Sequence, residues 1–394
     1  MTPEPQKIKA LVAEILPYIT GVRRHLHRFP ELSFEEYESS AYLTRILEEK
    51  GIPFTIGWVK TGIVATVVGA HPGPRRAFRA ELDALPIQEQ NQLTYQSEVP
   101  GKMHACGHDV HAAALLGACI IAHQCRSDVA GTLEFIFQPG EEKLPGGASL
   151  MLAEKALGND LPESIIAQHV FPDLPAGHVG ICPGKYMASS DELYITITGK
   201  GGHGALPHLC IDPIVIAAEL ITALQQLVAR TANPFLPSVL TLGKINSIGG
   251  ATNIIPEQVA IEGTFRTMDE AWRYEAHRWI ENTTKGIADA HGASARVEIK
   301  VGYPCLNNDE ALTHKVKSAM VAFLGEDKVH DIPKRMTSED FAYFAQLMPA
   351  CFYRLGVAYA DGRPAHGVHS PYFEVDEKAL ETAIGLMAWL AVLP

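Results

Sequence analysis

The chain begins with apolar residues at Leu11, Val12, Ile15, Ile19, Val22 and Leu26. That is the spacing of one helical face, over a segment that Pro17 is expected to interrupt or bend. A better-marked helix follows in SFEEYESSAYLTRILEEKG, residues 33–51. Ser33 and Glu36 read there as a capping box, and Gly51 stands where a left-handed C-cap is favoured. GIVATVVGA and RRAFRAELD are short β-branched strands, VHAAALLGACIIAHQ is an apolar helix, and GTLEFIFQP and ESIIAQHV are further strands. Strands alternating with buried helices predict an α/β sheet covered on both faces.

The middle of the chain has a different pattern. DELYITITGK alternates as a strand, 212–232 reads as a long helix, PSVLTLGKIN and EQVAIEGTFRT as two strands, 270–291 as a second helix, and ARVEIKVGY as the last strand. The order β-α-β-β-α-β predicts a ferredoxin-like two-layer unit. Mixed α/β character resumes with NDEALTHKVKSAMVAFLG and ACFYRLGVAY. The expected organisation is therefore a larger α/β domain with a mixed sheet, made of 1–185 and 304–394, with 186–303 inserted into it.

Composition narrows the function class. Among 394 residues, 47% are hydrophobic and 20% charged, and no apolar run approaches the ~20 residues of a membrane span. The first residues carry an early Glu4 and interleaved charges, unlike a secretory signal, so the cytoplasm is the expected location. Seven scattered cysteines without a C-x-x-C pair make a poor disulfide framework and are read as thiols. A net charge of −12 argues against nucleic acid or an acidic membrane as partner. A small anionic substrate would need local cationic groups to hold it.

Four short stretches carry candidate chemistry. In MHACGHDVH, Cys106 and His108 sit two apart in a glycine-containing loop before a helix, a geometry that can chelate. The same cysteine also reads as a buried thiol or as the nucleophile of a Cys–His pair, although no neighbouring cation would lower its pKa except a metal. His104 and His111 compete with His108 as ligands. In FQPGEEK, Glu141 and Glu142 follow an apolar strand, where adjacent side chains diverge, so one carboxylate can hold an ion and the other can face a water. His169 in IIAQHVFP and His369 in GVHSPYF complete the set. Cys106, His108, Glu142, His169 and His369 suffice for two divalent ions sharing a bridging group, about 3.5–4 Å apart. Glu141 would then be the general base, and Asp83 in RAELDALPI the partner that orients a ligand histidine.

Several segments together resemble a known family: RAELDALPI, GKMHACGHDVHAAALLGA, FQPGEE, QHVFPDLPAGHVG, GKGGHGALPH, GGATNIIPEQVAIEGTFRT, SEDFAYF and VHSPYF. They are similar, in order and over almost the whole chain, to the amidohydrolase subgroup of the aminoacylase/carboxypeptidase dinuclear metallopeptidases. That subgroup comprises N-acyl-amino-acid amidohydrolases, including aminoacylase-, hippurate- and auxin-conjugate hydrolases. The resemblance implies a bimetal amidase whose inserted lid also forms a homodimer. It puts Cys106 in the bridging position, His108, Glu142, His169 and His369 among the metal ligands, and Glu141 on the base. In the lid it implies that His203 holds substrate or the developing oxyanion, and that Asn253 and Arg266 contact substrate, the arginine gripping a carboxylate. Glu81, Gly140 and Gly204 depart from the usual Asp, Ala and Ala, and the two glycines are expected to loosen the loops bearing Glu141 and His203.

The expected reaction is hydrolysis of the amide bond of an N-acyl amino acid. Zn²⁺ is the first choice of metal, with Mn²⁺, Co²⁺ or Ni²⁺ as alternatives. A dipeptidase of the same family, a metal-dependent binding protein without catalysis and a thiol hydrolase are the competing readings.

Overall fold

A computed structural model describes residues 4–363 and 365–393. The chain divides into two compact units. One holds the chain up to Gly184, Asn307–Pro333 and everything from Asp340 on; the other holds Lys185–Leu306 and Lys334–Glu339. In chain order the first unit begins with α1 (Pro5–Arg28), α2 (Tyr37–Glu49), β1 (Phe54–Trp58), β2 (Gly62–Val68), β3 (His71–Glu81), α3 (His108–Gln124), β4 (Ala130–Gln138), α4 (Gly147–Ala153), β5 (Ser164–Pro175) and β6 (Val179–Ile181). Through β7 (Gly184–Met187) the chain enters the second unit: β8 (Asp191–Thr198), β9 (Gly202–His203), α5 (Pro213–Leu224), β10 (Ser238–Ile248), β11 (Ile254–Ile255), β12 (Gln258–Thr267), α6 (Glu270–Ala290) and β13 (Ser294–Val301). It returns through β14 (Leu306–Asn308) to α7 (Glu310–Leu324), β15 (Val329–Asp331), α8 (Ala342–Ala345), β16 (Ala350–Ala358) and α9 (Ala379–Val392).

The first unit is built on an eight-stranded mixed sheet, order β1-β2-β4-β3-β5-β16-β6-β15. Its centre, β4-β3-β5-β16, is parallel, whereas β1-β2, β2-β4 and β16-β6 are antiparallel. Parallel strands are covered on both faces, so β16 is buried along almost its whole length. Helix α3 is buried from His108 to Ala122, which is why its sequence is apolar nearly all round instead of striped. It packs against α1 and α9.

Three local expectations are corrected. Helix α1 runs unbroken through Pro17. Pro17 and Ala13, whose carbonyl loses its helical donor, both lie on the exposed side, where water can replace the missing bond. The capping box does not form, because Glu36 occupies the N-cap of α2 without capping it. Glu31 serves instead, its carboxylate accepting from the Glu38 and Ser39 amides at 3.1 and 2.8 Å. The helix expected over 212–232 is α-helical only to Leu224 and then widens into a π turn, Leu227–Thr231. Pro213–Thr231 is also the one helix among the described residues with the length and hydropathy of a membrane span, which amends the expectation of no such run. Its Ile216, Ala217, Leu220, Leu224 and Leu227 are buried in the core of the second unit.

That core lies between α5, α6 and a four-stranded antiparallel sheet, order β10-β12-β8-β13. Strand β8 alternates buried and partly exposed residues along its length, as a sheet with one covered face requires. At one end Asp191 is fully engaged. It accepts from Arg273 Nε at 2.9 Å, Arg273 Nη2 at 2.5 Å, His277 Nε2 at 2.7 Å and the Gly302 amide at 3.2 Å.

Candidate metal centre

The centre of the first unit is assembled just past the ends of β3 and β4, at the start of α3 and, for His169, in the middle of β5, which runs on to Pro175. Gly107 precedes α3 with φ +79°, and a Cβ there would lie 2.6 Å from the Val170 side chain. Only glycine lets this turn press onto β5 beside His169. Cys106 Sγ consequently lies 3.4 Å from His169 Nε2. His169 Nδ1–H donates to the Val170 carbonyl at 2.8 Å, which leaves Nε2 with its lone pair directed at the thiol.

Asp83, just past β3, orients two further groups. His108 Nδ1–H donates to its carbonyl oxygen at 2.8 Å with Oδ1 at 3.2 Å, and its Oδ2 accepts the Glu142 amide at 2.9 Å. His108 Nε2 is buried with no hydrogen-bond partner among the described residues, and Glu142 Oε1 stands 4.0 Å away. His369 enters from the C-terminal part of the chain. Its amide donates to the Ala105 carbonyl at 2.8 Å, and its Nε2 lies 3.1 Å from Glu142 Oε1 with the side chain 51% exposed.

Ligand-capable atoms of Cys106, His108 and His169 lie within 4.8 Å of one another, as do those of Cys106, Glu142 and His369, and those of His108, Glu141 and Glu142. Glu81, His108 and His111 form another such group, but His111 has both ring nitrogens engaged. Its Nδ1 pairs with Glu81 Oε2 at 2.8 Å, and its Nε2 accepts the Val170 amide at 2.9 Å. His111 therefore ties α3 to β5. His104 is buried beside the site, and burial pushes it down to about 3, a neutral ring at any ordinary pH.

The electrostatics call for a cation. Burial, followed by the Glu142 and Glu141 carboxylates, pushes the Cys106 thiol well above its ordinary value, so no nucleophilic thiolate forms without a positive charge to pair it. Burial opposes charge on His108, yet the Asp83 hydrogen bond and the Glu81, Asp83 and Glu142 carboxylates raise it to about 10. Burial, then Arg354, holds His169 well below its ordinary value, neutral and able to ligate. Imidazole, thiol and carboxylate donors with an orphaned, buried His108 Nε2 fit a borderline divalent metal.

Two supports were not singled out from the sequence. Arg79, fully buried, donates to Gln138 Oε1 at 2.8 Å and to Asp340 Oδ1 at 2.5 Å, and pairs with Glu81 two residues on along β3. Arg79 and Glu81, two residues apart on one face at the buried end of β3, were the available signal. Asp340, raised to about 6 by burial, also accepts from Gln138 Nε2 and the Ala148 amide. The second support is Glu36, which the sequence suggested only as part of a capping box.

His203, Asn253 and Arg266 belong to the second unit. Strands β9 and β11 pair His203 with Ile254, and the Gly204 amide donates to the Asn253 carbonyl at 2.8 Å. A Cβ on Gly204 would meet that carbonyl at 3.1 Å, so this glycine draws the ribbon together instead of loosening it. His203 Nδ1 accepts the Ala205 amide at 3.0 Å, which places the ring proton on the exposed Nε2. Arg266 is partly buried, with long contacts of 3.3 Å to the Met336 carbonyl and Ser338 Oγ.

Residues 77–392 match peptidase family M20/M25/M40. The chain belongs to this family. It is 42% identical over 363 residues to the N-acetyl-L-cysteine deacetylase of Bacillus subtilis, covering 92% of this chain and 84% of that protein. It is also 42% identical over 306 residues to the N-acyl-L-amino acid amidohydrolase of Geobacillus stearothermophilus, covering 77% and 82%. Among solved structures it is similar to the Bacillus subtilis YXEP protein, a dinuclear metal binding peptidase from the M20 family. The TM-score is 0.82 at 34% identity, over 96% of this chain and 98% of that one. The M20 chain described here is accordingly a metal-dependent hydrolase of linear amides.

Proposed function

We propose that this M20 hydrolase cleaves N-acyl amino acids, with two divalent ions held by Cys106, His108, Glu142, His169 and His369 and with Cys106 as the shared ligand. The observation that carries this reading is that Cys106 belongs to two separate groups of converging ligand atoms beside the carboxylate pair Glu141–Glu142. Zn²⁺ is the preferred ion for a thiol–imidazole–carboxylate set, with Mn²⁺, Co²⁺ or Ni²⁺ as substitutes. When bound, such ions supply Lewis-acid polarisation of the amide carbonyl and acidify water.

The chain's own groups do the rest. Glu141, 6% exposed, accepts the proton of the attacking water and returns it to the departing amine nitrogen. His203 Nε2–H donates to the developing oxyanion, a role its tautomer suits. Arg266 takes the substrate carboxylate in a charge-assisted pair and Asn253 contacts the substrate. Asp83 fixes the His108 ring.

The finer organisation belongs to the same proposal. Residues 1–185 with 304–394, apart from the Lys334–Glu339 segment that the second unit holds, form the metal-binding domain, and 186–303 a ferredoxin-like lid that joins two copies into a homodimer. Supporting the dimer, β10 ends its sheet with Ile245 and Ile248 exposed, and α5 exposes Ile214 and Val215. Seven free thiols agree with a cytoplasmic setting. Hydrolysis of N-acetyl- and N-benzoyl-amino acids, abolished by a chelator and restored by added divalent metal, tests the function. Faster turnover of free dipeptides in the same assay would move the assignment to a dipeptidase, and light scattering giving a strict monomer would remove the lid's assembly role.

A further inference from the structure

The segment Ser33–Glu36 does not cap its own helix, and its side chains are spent elsewhere. Glu36 is fully buried. One oxygen, Oε1, accepts two amides, Phe34 N–H at 2.9 Å and Gly140 N–H at 2.8 Å, and the other, Oε2, accepts Thr61 Oγ1–H at 2.7 Å. Gly140 immediately precedes Glu141. It has φ +61°, and a Cβ on it would lie 2.3 Å from the Phe34 ring. Phe34 is itself left-handed at φ +68°, a strained conformation for a non-glycine residue, so two left-handed turns are pressed together with Glu36 between their amides. On the other side of the same loop, Ser33 Oγ–H donates to Asp83 Oδ2 at 2.7 Å, and that oxygen accepts the Glu142 amide.

We infer that Glu36 is a positioning residue for the general base, holding the Gly140–Glu141 turn through the Gly140 amide while Asp83 separately holds Glu142 and His108. The inference rests on the assignment of Glu141 as base. It divides the work over adjacent residues: Glu36 governs where the proton acceptor stands, and Asp83 governs the ligands. The carboxyl chemistry agrees with a geometric role. Burial, then the nearby Asp83 charge, raises Glu36 to about 7, so the group is retained where its charge is unfavourable. What the turn requires is an acceptor for the two amides. A neutral glutamine satisfies them equally, with its oxygen on the Phe34 and Gly140 amides and its NH₂ donating to Thr61 Oγ1.

The test compares full-length, metal-loaded Glu36→Ala, Glu36→Gln and Glu141→Gln by steady-state kinetics and metal content. Removing the acceptor in Glu36→Ala lowers kcat by about 10- to 100-fold, the scale of a displaced catalytic group, with KM and metal stoichiometry kept. Glu36→Gln restores kcat to within about threefold of the parent. Should Glu36→Ala fail to fold, Glu36→Asp takes its place, since one methylene less cannot span Gly140 and Thr61 together, and the same kcat-only loss is expected. Unchanged kcat in Glu36→Ala or its Asp substitute overturns the inference, as does a Glu36→Gln variant that falls as far as Glu36→Ala. Loss of metal in step with kcat also overturns it, because that outcome makes Glu36 a support of the ligands. Full activity in Glu141→Gln defeats the base assignment instead, and that result is read independently of Glu36.

Discussion

Two of the buried charge clusters of this molecule contain similar residues and differ in closure. In the second unit, Asp191 is met by Arg273, His277 and the Gly302 amide. In the first, Cys106, His108, Glu142 and His169 converge while His108 Nε2 keeps no hydrogen bond among the described residues. A buried polar group left unsatisfied costs about 1–3 kcal/mol, more when charged, so a fold that keeps one among converging ligand atoms reserves it for something else. The closed cluster holds structure; in the function proposed, the open one receives the cations.

The comparison breaks first at the open cluster. A chelator is expected to abolish turnover and lower the melting temperature, with both recovered on adding divalent metal; retained activity would return the thiol hydrolase to consideration. Glu141→Gln is the next largest effect, lowering kcat by about 10²- to 10⁴-fold with folding and metal content intact. Near-normal turnover would reassign the base.

The closed cluster is expected to respond in the opposite way. Arg273→Ala takes the guanidinium from a buried Asp191 and leaves it only His277 and the Gly302 amide, a loss of about 3–5 kcal/mol read by denaturant unfolding, with no change in the metal content of the remaining folded protein. Burial raises the Asp191 carboxyl, but His277 and Arg273 outweigh it and hold it below its ordinary range. A depressed carboxylate contributes stability that is fully present above its unfolded pKa and lost as pH falls through the folded one. The parent should therefore lose this contribution below about pH 4, and Arg273→Ala should lose less there. Equal acid sensitivity in both proteins would count against Asp191.

A smaller effect belongs to Glu36, whose folded value near 7 lies above its ordinary 4.5. The folded state then holds the extra proton, so the Glu36 contribution declines as pH rises from about 4.5 to 7, by at most about 1.4 kcal/mol per unit. Glu36→Gln removes that decline in a melting series. An unaltered pH dependence would show that Glu36 ionises normally.

Much of this architecture is readable in local pattern. Continuous apolar runs mark the central strands, and the switch to alternation in β8 marks a sheet with one covered face. Candidate ligands stand out because they follow or interrupt apolar elements, as His169 does in the middle of β5. What local pattern misreads is the use of side chains over long distances. Ser33 and Glu36 have the spacing of a capping box, yet their partners are Asp83, Thr61 and Gly140. Gly140 likewise reads as loop freedom, whereas Phe34 fills the space a side chain would need. Pro17 reads as a break because exposure of the freed carbonyl is a tertiary property.

The most direct test of the central claim is a cobalt(II) titration of metal-free protein, following bound metal per chain together with the sulfur-to-metal charge-transfer absorption, in the parent and in Cys106→Ser. The account predicts two ions per chain and a charge-transfer band in the parent that the variant lacks. A single ion, or a band that persists in Cys106→Ser, would contradict it.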